Sequence, residues 1–264
     1  MTSADLYTHR YGVPGTRPVM ALHGIQAHGA RWRRLAERYL PGVYVVAPDL
    51  RGHGRSTWEP PWSVERHVMD LLAVMDQLEL AQVDVVGHSF GGLIGIHLSR
   101  TAPERVRRLA LLDPSVGLAP AGLHDLARRT MQAPSFADRE QARAEREARW
   151  PFASPGAVAD EVAEHLEAAP DGRWRWRFNP AAVVTACSEM ALPAVLPPST
   201  VPTLLAIARR SGFVRPEFVA ACRSSLGDAL AVAELDSDHM LYLERPDEVG
   251  TLLHRFFAAD AAQA

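Results

Sequence analysis

Polar and apolar positions follow two alternating rhythms along this chain. Short, near-continuously apolar and β-branched runs at residues 19–22, 43–47, 83–87, 109–112, 203–208 and 230–235 read as strands buried on both faces. Between them, residues 30–39, 63–78, 90–101, 216–224 and 247–258 carry apolar positions at helical spacing, and Ser63 stands where an N-cap belongs. Strand and helix in alternation predict a parallel α/β sheet with crossover helices on both faces.

The alternation stops between Pro114 and Pro202. That stretch is rich in Ala, Glu and Arg, with helices expected near 123–132, 138–149 and 158–169. It reads as a helical cap at 116–200 inserted into a core made of 1–115 and 201–264. Within it, "RWRWRF" at 173–178 alternates cations and aromatics and is expected to be a cap hairpin or a helix start, one aromatic face packed inward. The charged run 137–150 is expected to be a solvated helix with i,i+4 pairs that forms part of the lid. An Ala-rich tail after Phe257 is expected to fray.

Composition narrows the function. The 264 residues carry a net charge of −3 with Lys and Arg scattered, so neither nucleic acid nor an anionic membrane is an expected partner. A small neutral or mildly polar ligand fits better. Residues 1–11 lack the apolar segment of a signal peptide and no run approaches a membrane span, which makes the cytoplasm the expected compartment. The two cysteines, Cys187 and Cys222, have neither metal-type nor CxxC spacing and read as reduced structural thiols. No metal and no cofactor are expected, and the chain is expected to act as a monomer or homodimer.

Chemistry enters at Gly87-His88-Ser89-Phe90-Gly91, a G-x-S-x-G sequence between a buried strand and a helix. A serine held on such a turn has strained backbone dihedrals, and strand and helix pass so closely that the residues two away on each side must lack a Cβ. The helix N-terminus then offers amides and a positive dipole end beside the hydroxyl. A glycine-rich turn without chemistry is the alternative. The Gly-x-Gly of "LRGHGRS" at 50–56 lacks both the third glycine of a dinucleotide fingerprint and a P-loop lysine, and reads as a structural turn.

With "HGIQAHGARW" at 23–32, "PDLRGHGRS" at 48–56, "GHSFGG" at 87–92 and "SDHMLYLERPDEV" at 237–249, the chain resembles the α/β-hydrolase fold family over nearly everything except the insertion. The resemblance implies a mostly parallel sheet of the eight-stranded type under a helical cap, with Ser89 as nucleophile. A serine hydroxyl needs a base, and of eleven histidines His239 follows the last strand in a polar loop, where the family keeps its catalytic histidine. His88 is expected only to pack. By the same resemblance the backbone N–H groups of Ile25 and Phe90 form the oxyanion hole, while His23 and Gly24 shape the loop. Gln26 and His28 either line the pocket mouth or are simply polar loop residues. Met240, with Met131, Met190, Trp174 and Trp176, is a further lining residue if it does not serve packing alone.

The acid departs from the common pattern. Most family members place it after the strand written here "PTLLAIARRSG", and this chain has no carboxylate there. Asp113, ending "LALLD", stands in for it, an arrangement resembling haloalkane dehalogenases and the minority of small esterases and thioesterases whose acid follows the family's sixth strand. Asp236 and Asp238 are rivals by proximity to His239. Ser211 sits in the vacated place and is expected to assist as an auxiliary hydroxyl. Dehalogenases of this fold resemble one another in an aspartate nucleophile, so a serine points to an acyl-enzyme. The expected activity is hydrolysis of carboxylic esters with a small to medium acyl chain. The alternatives are an acyl-CoA thioesterase, a lactonase, or a ligand receptor that keeps a hydrolase pocket without turnover.

Overall fold

The computed structural model of the protein describes residues 6–132 and 134–258. The first residues of the 1–11 stretch and most of the tail expected to fray lie outside them. Strands β1 (Thr8–Tyr11), β2 (Arg17–Leu22), β3 (Val43–Pro48), β4 (Val83–His88) and β5 (Val106–Leu112) precede the insertion. With them alternate helices α1 (Arg33–Tyr39), α2 (Val64–Gln77) and α3 (Phe90–Thr101). The insertion holds α4 (Pro120–Met131), β6 (Ser135–Phe136), α5 (Arg139–Arg149), α6 (Pro155–His165), β7 (Leu166–Ala168), β8 (Trp174–Trp176) and α7 (Pro180–Met190). The chain then returns through β9 (Thr203–Ala208), α8 (Pro216–Leu226), β10 (Leu230–Leu235), α9 (Leu241–Glu244) and α10 (Pro246–Ala258).

The main sheet runs β1-β3-β2-β4-β5-β9-β10, parallel except for β1. It has seven strands among the described residues, where eight were expected. β1, partly exposed and polar, pairs antiparallel with β3 at the edge, a short half-polar stretch without the apolar run of its neighbours.

Period-two alternation of side chains sorts the core into two layers. Met20, Leu22, Val85, Leu109, Leu111 and Leu205 face α2, α3 and α8, where Leu71, Met75, Ile94 and Phe218 cover them. Val19, Ala21, Val86, Ala110, Leu112 and Leu204 face α1 and α10, against Leu35, Val249 and Leu253. Each Val, Leu, Ile, Met or Phe among them contributes about 1.5–3 kcal/mol on burial. Ser63 caps α2, accepting the Arg66 N–H at 3.3 Å. No helix among the described residues is long and apolar enough to cross a membrane.

The insertion builds its own small core of Phe136, Val162, Leu166, Trp176, Phe178 and Val183 around a three-stranded sheet, order β6-β8-β7. "RWRWRF" forms the central strand β8: Trp176 is buried while Arg175 is exposed. The helix expected to reach 169 ends at His165, because residues 166–168 pair with β8 instead of closing another helical turn. Helix α7 was not foreseen, although Asn179 caps it and Pro180 opens it.

Candidate active site

The turn from β4 into α3 places Ser89 at φ 56°, ψ −120°, outside the ordinary regions for a residue with a side chain. The flanking glycines make this turn sterically feasible. A Cβ on Gly87 would lie 2.4 Å from the Gly91 carbonyl oxygen, and one on Gly91 would lie 2.4 Å from that of Leu22. The Ser89 N–H donates to Leu112 O at 3.1 Å, so β5 holds the turn.

Three sequence-identified side chains meet there in one line. His239 Nε2 is 2.9 Å from Ser89 Oγ, and its Nδ1 is 2.7 Å from Asp113 Oδ2. Asp113 is fully buried at φ 44°, and its other oxygen accepts the Ala208 N–H at 3.1 Å. With Nδ1–H donated to the carboxylate, Nε2 is left as a base facing the serine. Asp236 and Asp238 do not enter this line: Asp236 is exposed, Asp238 is half-buried, and both pair with Arg210.

Two neighbours brace His239. His88 donates its Nε2–H to the His239 carbonyl at 2.7 Å, and its ring centroid lies 4.6 Å from that of His239. Burial and the nearby His239 hold its pKa well below the ordinary value, so it stays neutral. His88 therefore does more than pack. Phe213 stacks on the other partner of this arrangement, its ring 3.9 Å from that of His239 and inclined by 12°.

Ser211 is not part of the arrangement. Its hydroxyl donates to Ala208 O at 3.1 Å and accepts the Phe213 N–H at 3.2 Å, closing a local turn away from the imidazole. A different serine touches the nucleophile position. Ser115 is fully buried and its Oγ lies 2.9 Å from Ser89 Oγ, while its N–H donates to Ser89 O at 3.1 Å.

The backbone amides of Ile25 and Phe90 are those expected to serve the oxyanion, and Ile25 lines the cavity at Ser89. Phe90 opens α3, where N–H groups lack intrahelical acceptors, and among the described residues no acceptor takes the Ile25 N–H. Loop 23–26 is held rigidly. His23 donates Nδ1–H to Gly24 O at 2.7 Å and accepts the Leu50 N–H at 2.8 Å, and burial keeps the ring neutral. Gly24 leaves room for the serine, since a Cβ there would lie 3.0 Å from Ser89 Cβ.

A cavity of about 170 Å³ opens on Ser89, with Gly24, Ile25 and His239 from the core and Arg146 and Trp150 from the insertion. Gln26, Met190 and Met240 also line it. His28 does not: it is buried behind the loop, its Nε2 3.1 Å from Glu161 Oε2 and its ring stacked on His165. Trp176 lines an adjoining hollow of about 590 Å³, whereas Met131 is 62% exposed and Trp174 packs with the insertion's own core.

Glu161 joins the insertion to the core. It accepts from Arg31 Nε at 2.8 Å and Nη2 at 2.5 Å, and lies 3.0 Å from His165 Nδ1. Burial alone would raise its pKa, but the Arg31 guanidinium beside it holds the carboxyl well below the usual range. His28, Glu161 and His165 have donor atoms at metal-like spacing. Arg31 occupies both Glu161 oxygens, however, and a cation there would meet a guanidinium at contact distance. The cluster is an ion-pair network.

A model of the alpha/beta hydrolase family matches residues 19–251. The chain belongs to that family. The hydrolase is 38% identical over 252 residues to lipase LipV of Mycobacterium tuberculosis, covering 94% of this chain and 96% of that protein. It is 26% identical over 249 residues to the sn-1-specific diacylglycerol lipase ABHD11 of Mus musculus, covering 91% and 80%. Among solved structures, E-2-(acetamidomethylene)succinate hydrolase superposes with a TM-score of 0.83 at 20% identity, covering 96% of this chain and 94% of that one. A marine microorganism esterase superposes with a TM-score of 0.76 at 20% identity, covering 96% and 100%. At that identity the hydrolase shares their fold.

Proposed function

We propose that this hydrolase cleaves carboxylic esters of small to medium acyl chain through an acyl-enzyme on Ser89. The observation that carries the reading is the unbroken line from Asp113 through His239 to Ser89. Ser89 Oγ attacks the ester carbonyl while His239 Nε2 takes its proton. Asp113 fixes the tautomer and balances the imidazolium. The N–H groups of Ile25 and Phe90 face the developing oxyanion. Collapse expels the alcohol, which receives the proton from His239. Water then repeats the sequence on the acyl-enzyme and frees the acid.

With the Ser89 hydroxyl donated to His239 Nε2, the Ser115 hydroxyl 2.9 Å away is left to donate to Ser89 Oγ. Residues 116–200 act as the lid over this site. The cavity of about 170 Å³ suits a short chain, since an apolar cavity of about 150 Å³ holds a benzene. The reading extends to a diffusible small ester as partner, a cytoplasmic setting and a monomer or homodimer.

A fluorophosphonate probe should label Ser89, with the adduct located by peptide mass spectrometry, and a panel of p-nitrophenyl esters should be turned over by the wild type but not by S89A. A folded protein that takes no label and turns over no ester would be a receptor with a hydrolase pocket, and the proposal would be wrong.

A further inference from the structure

Helix α5 brings Arg146 into the wall of the Ser89 cavity, with only 4% of its surface exposed. Among the described residues its guanidinium makes no hydrogen bond. Nε has no acceptor, and the nearby carboxylate oxygens stay at 3.7 Å (Glu161 Oε1) and 3.9 Å (Glu145 Oε2). A buried guanidinium with unfilled N–H positions is costly, and such groups are ordinarily satisfied.

The local charges do not cancel. Arg31, Arg146 and Arg149 share two carboxylates: Glu161 is engaged bidentately by Arg31, and Glu145 lies 3.4 Å from Arg149. Burial lowers the pKa of His165 to about 3, so it adds no charge. One positive charge remains, and Arg146 carries it at the cavity wall. Its orientation is set by two indoles, Trp150 and Trp176, whose centroids lie 4.7 and 4.2 Å from its Cζ. Such contacts stabilise a cation through the faces of the rings and leave its N–H groups without acceptors. What the site lacks is a planar anion, and a carboxylate matches a guanidinium fork.

We infer that Arg146 docks a carboxylate carried by the substrate, so that the ester cleaved at Ser89 is an anionic one, such as the half-ester of a dicarboxylic acid. This rests on Ser89 being the nucleophile. The carboxylate sits on either the acyl or the alcohol side of the scissile bond, and matched pairs distinguish the two. Monomethyl glutarate against methyl pentanoate probes the acyl side, and 4-acetoxybenzoate against phenyl acetate probes the alcohol side.

In a pH-stat assay at low salt, the anionic member of at least one pair should be preferred by about 10- to 100-fold in kcat/KM, the range of one charged hydrogen-bonded contact. In R146M that ratio should collapse towards one, and R146K, which keeps the charge but loses the fork, should fall between. Equal turnover within both pairs, or a preference undiminished in R146M, overturns the inference and leaves the ester-hydrolase reading standing. Calorimetric titration of glutarate and 4-hydroxybenzoate into S89A is independent of turnover. Binding of at least one that weakens about tenfold or more in S89A/R146M supports the carboxylate site even if no ester in the panel is cleaved. No binding of either overturns it.

Discussion

Changing Asp113 to asparagine alters one atom and should stop the chemistry. Asp113 Oδ2 accepts from His239 Nδ1 at 2.7 Å and Oδ1 from the Ala208 N–H at 3.1 Å. An asparagine fits the same buried space and tolerates the residue's φ of 44°. Its carbonyl keeps the Ala208 bond, which turns the amide NH2 towards the imidazole. Nδ1 must then become the acceptor, and the ring proton moves to Nε2, where it faces Ser89 Oγ at 2.9 Å and blocks proton uptake. A wrong tautomer of this kind costs on the order of 10⁴ in kcat, about 5.4 kcal/mol of barrier at 1.36 kcal/mol per decade. The assay is initial rates on a neutral p-nitrophenyl ester, with S89A as background and thermal melting to confirm the fold. D236N and D238N are the controls, and both should stay within about twofold because exposed ion pairs contribute little. A folded D113N that keeps more than about a tenth of wild-type kcat, or a D238N that falls as far as D113N, would refute the assignment of the acid.

Other consequences follow from the same geometry. S115A removes the hydroxyl 2.9 Å from Ser89 Oγ, and kcat should drop about 3- to 10-fold with KM little changed; an unaltered kcat would show that Ser115 only fills space. E161Q leaves the Arg31 guanidinium without its balancing charge, so urea unfolding should show a loss of about 3–5 kcal/mol; a loss below about 1 kcal/mol would mean the network does not hold the lid. Burial keeps His53, His67 and His165 neutral, with pKa values lowered from 6.5 to about 4, 3 and 3. The unfolded chain binds protons below pH 6.5 that the folded one refuses, so urea midpoints should fall as pH drops from 6.5 towards 4. The slope is at most about 1.4 kcal/mol per pH unit per histidine, and a flat profile contradicts it. S211A should leave turnover within about twofold, whereas F213A, which strips the ring stacked on His239, should lower kcat about 2- to 10-fold.

What could be read from sequence divides along a physical line. The strands were legible because burial on both faces demands continuous apolar runs, as in 83–87, and the Ser89 turn because its steric demands surface as glycines. Asp113 was legible only through the family resemblance, which names the strand before the insertion as the alternative once the loop after β9 offers no carboxylate. Ser115 was not, because its direction depends on the positive φ of Asp113 two residues earlier, and a dihedral leaves no mark in residue identity there. Glu161 looks like any glutamate on a solvated helix; only the arrival of Arg31 from the core makes it a buried group. The misplacement of His28 has the same origin, since a loop histidine turns inward only when a distant carboxylate waits for it. In β8, pairing with two flanking strands decided between hairpin and helix, and neither partner is marked by an apolar run.

Drawing the acid from β5 changes what the loop after β9 is free to become. Nucleophile and acid follow adjacent strands in direct register, His88 beside Leu112, so they ride on one rigid piece of sheet. The 209–215 loop is relieved of supplying the carboxylate, and of its residues Phe213 alone stacks on the histidine. Arg209 and Arg210 still tie the loop to the 235–238 segment before His239, so residues 211 and 212 are the natural point for an engineer to graft a longer wall, or for divergence to write a new specificity, without disturbing proton transfer.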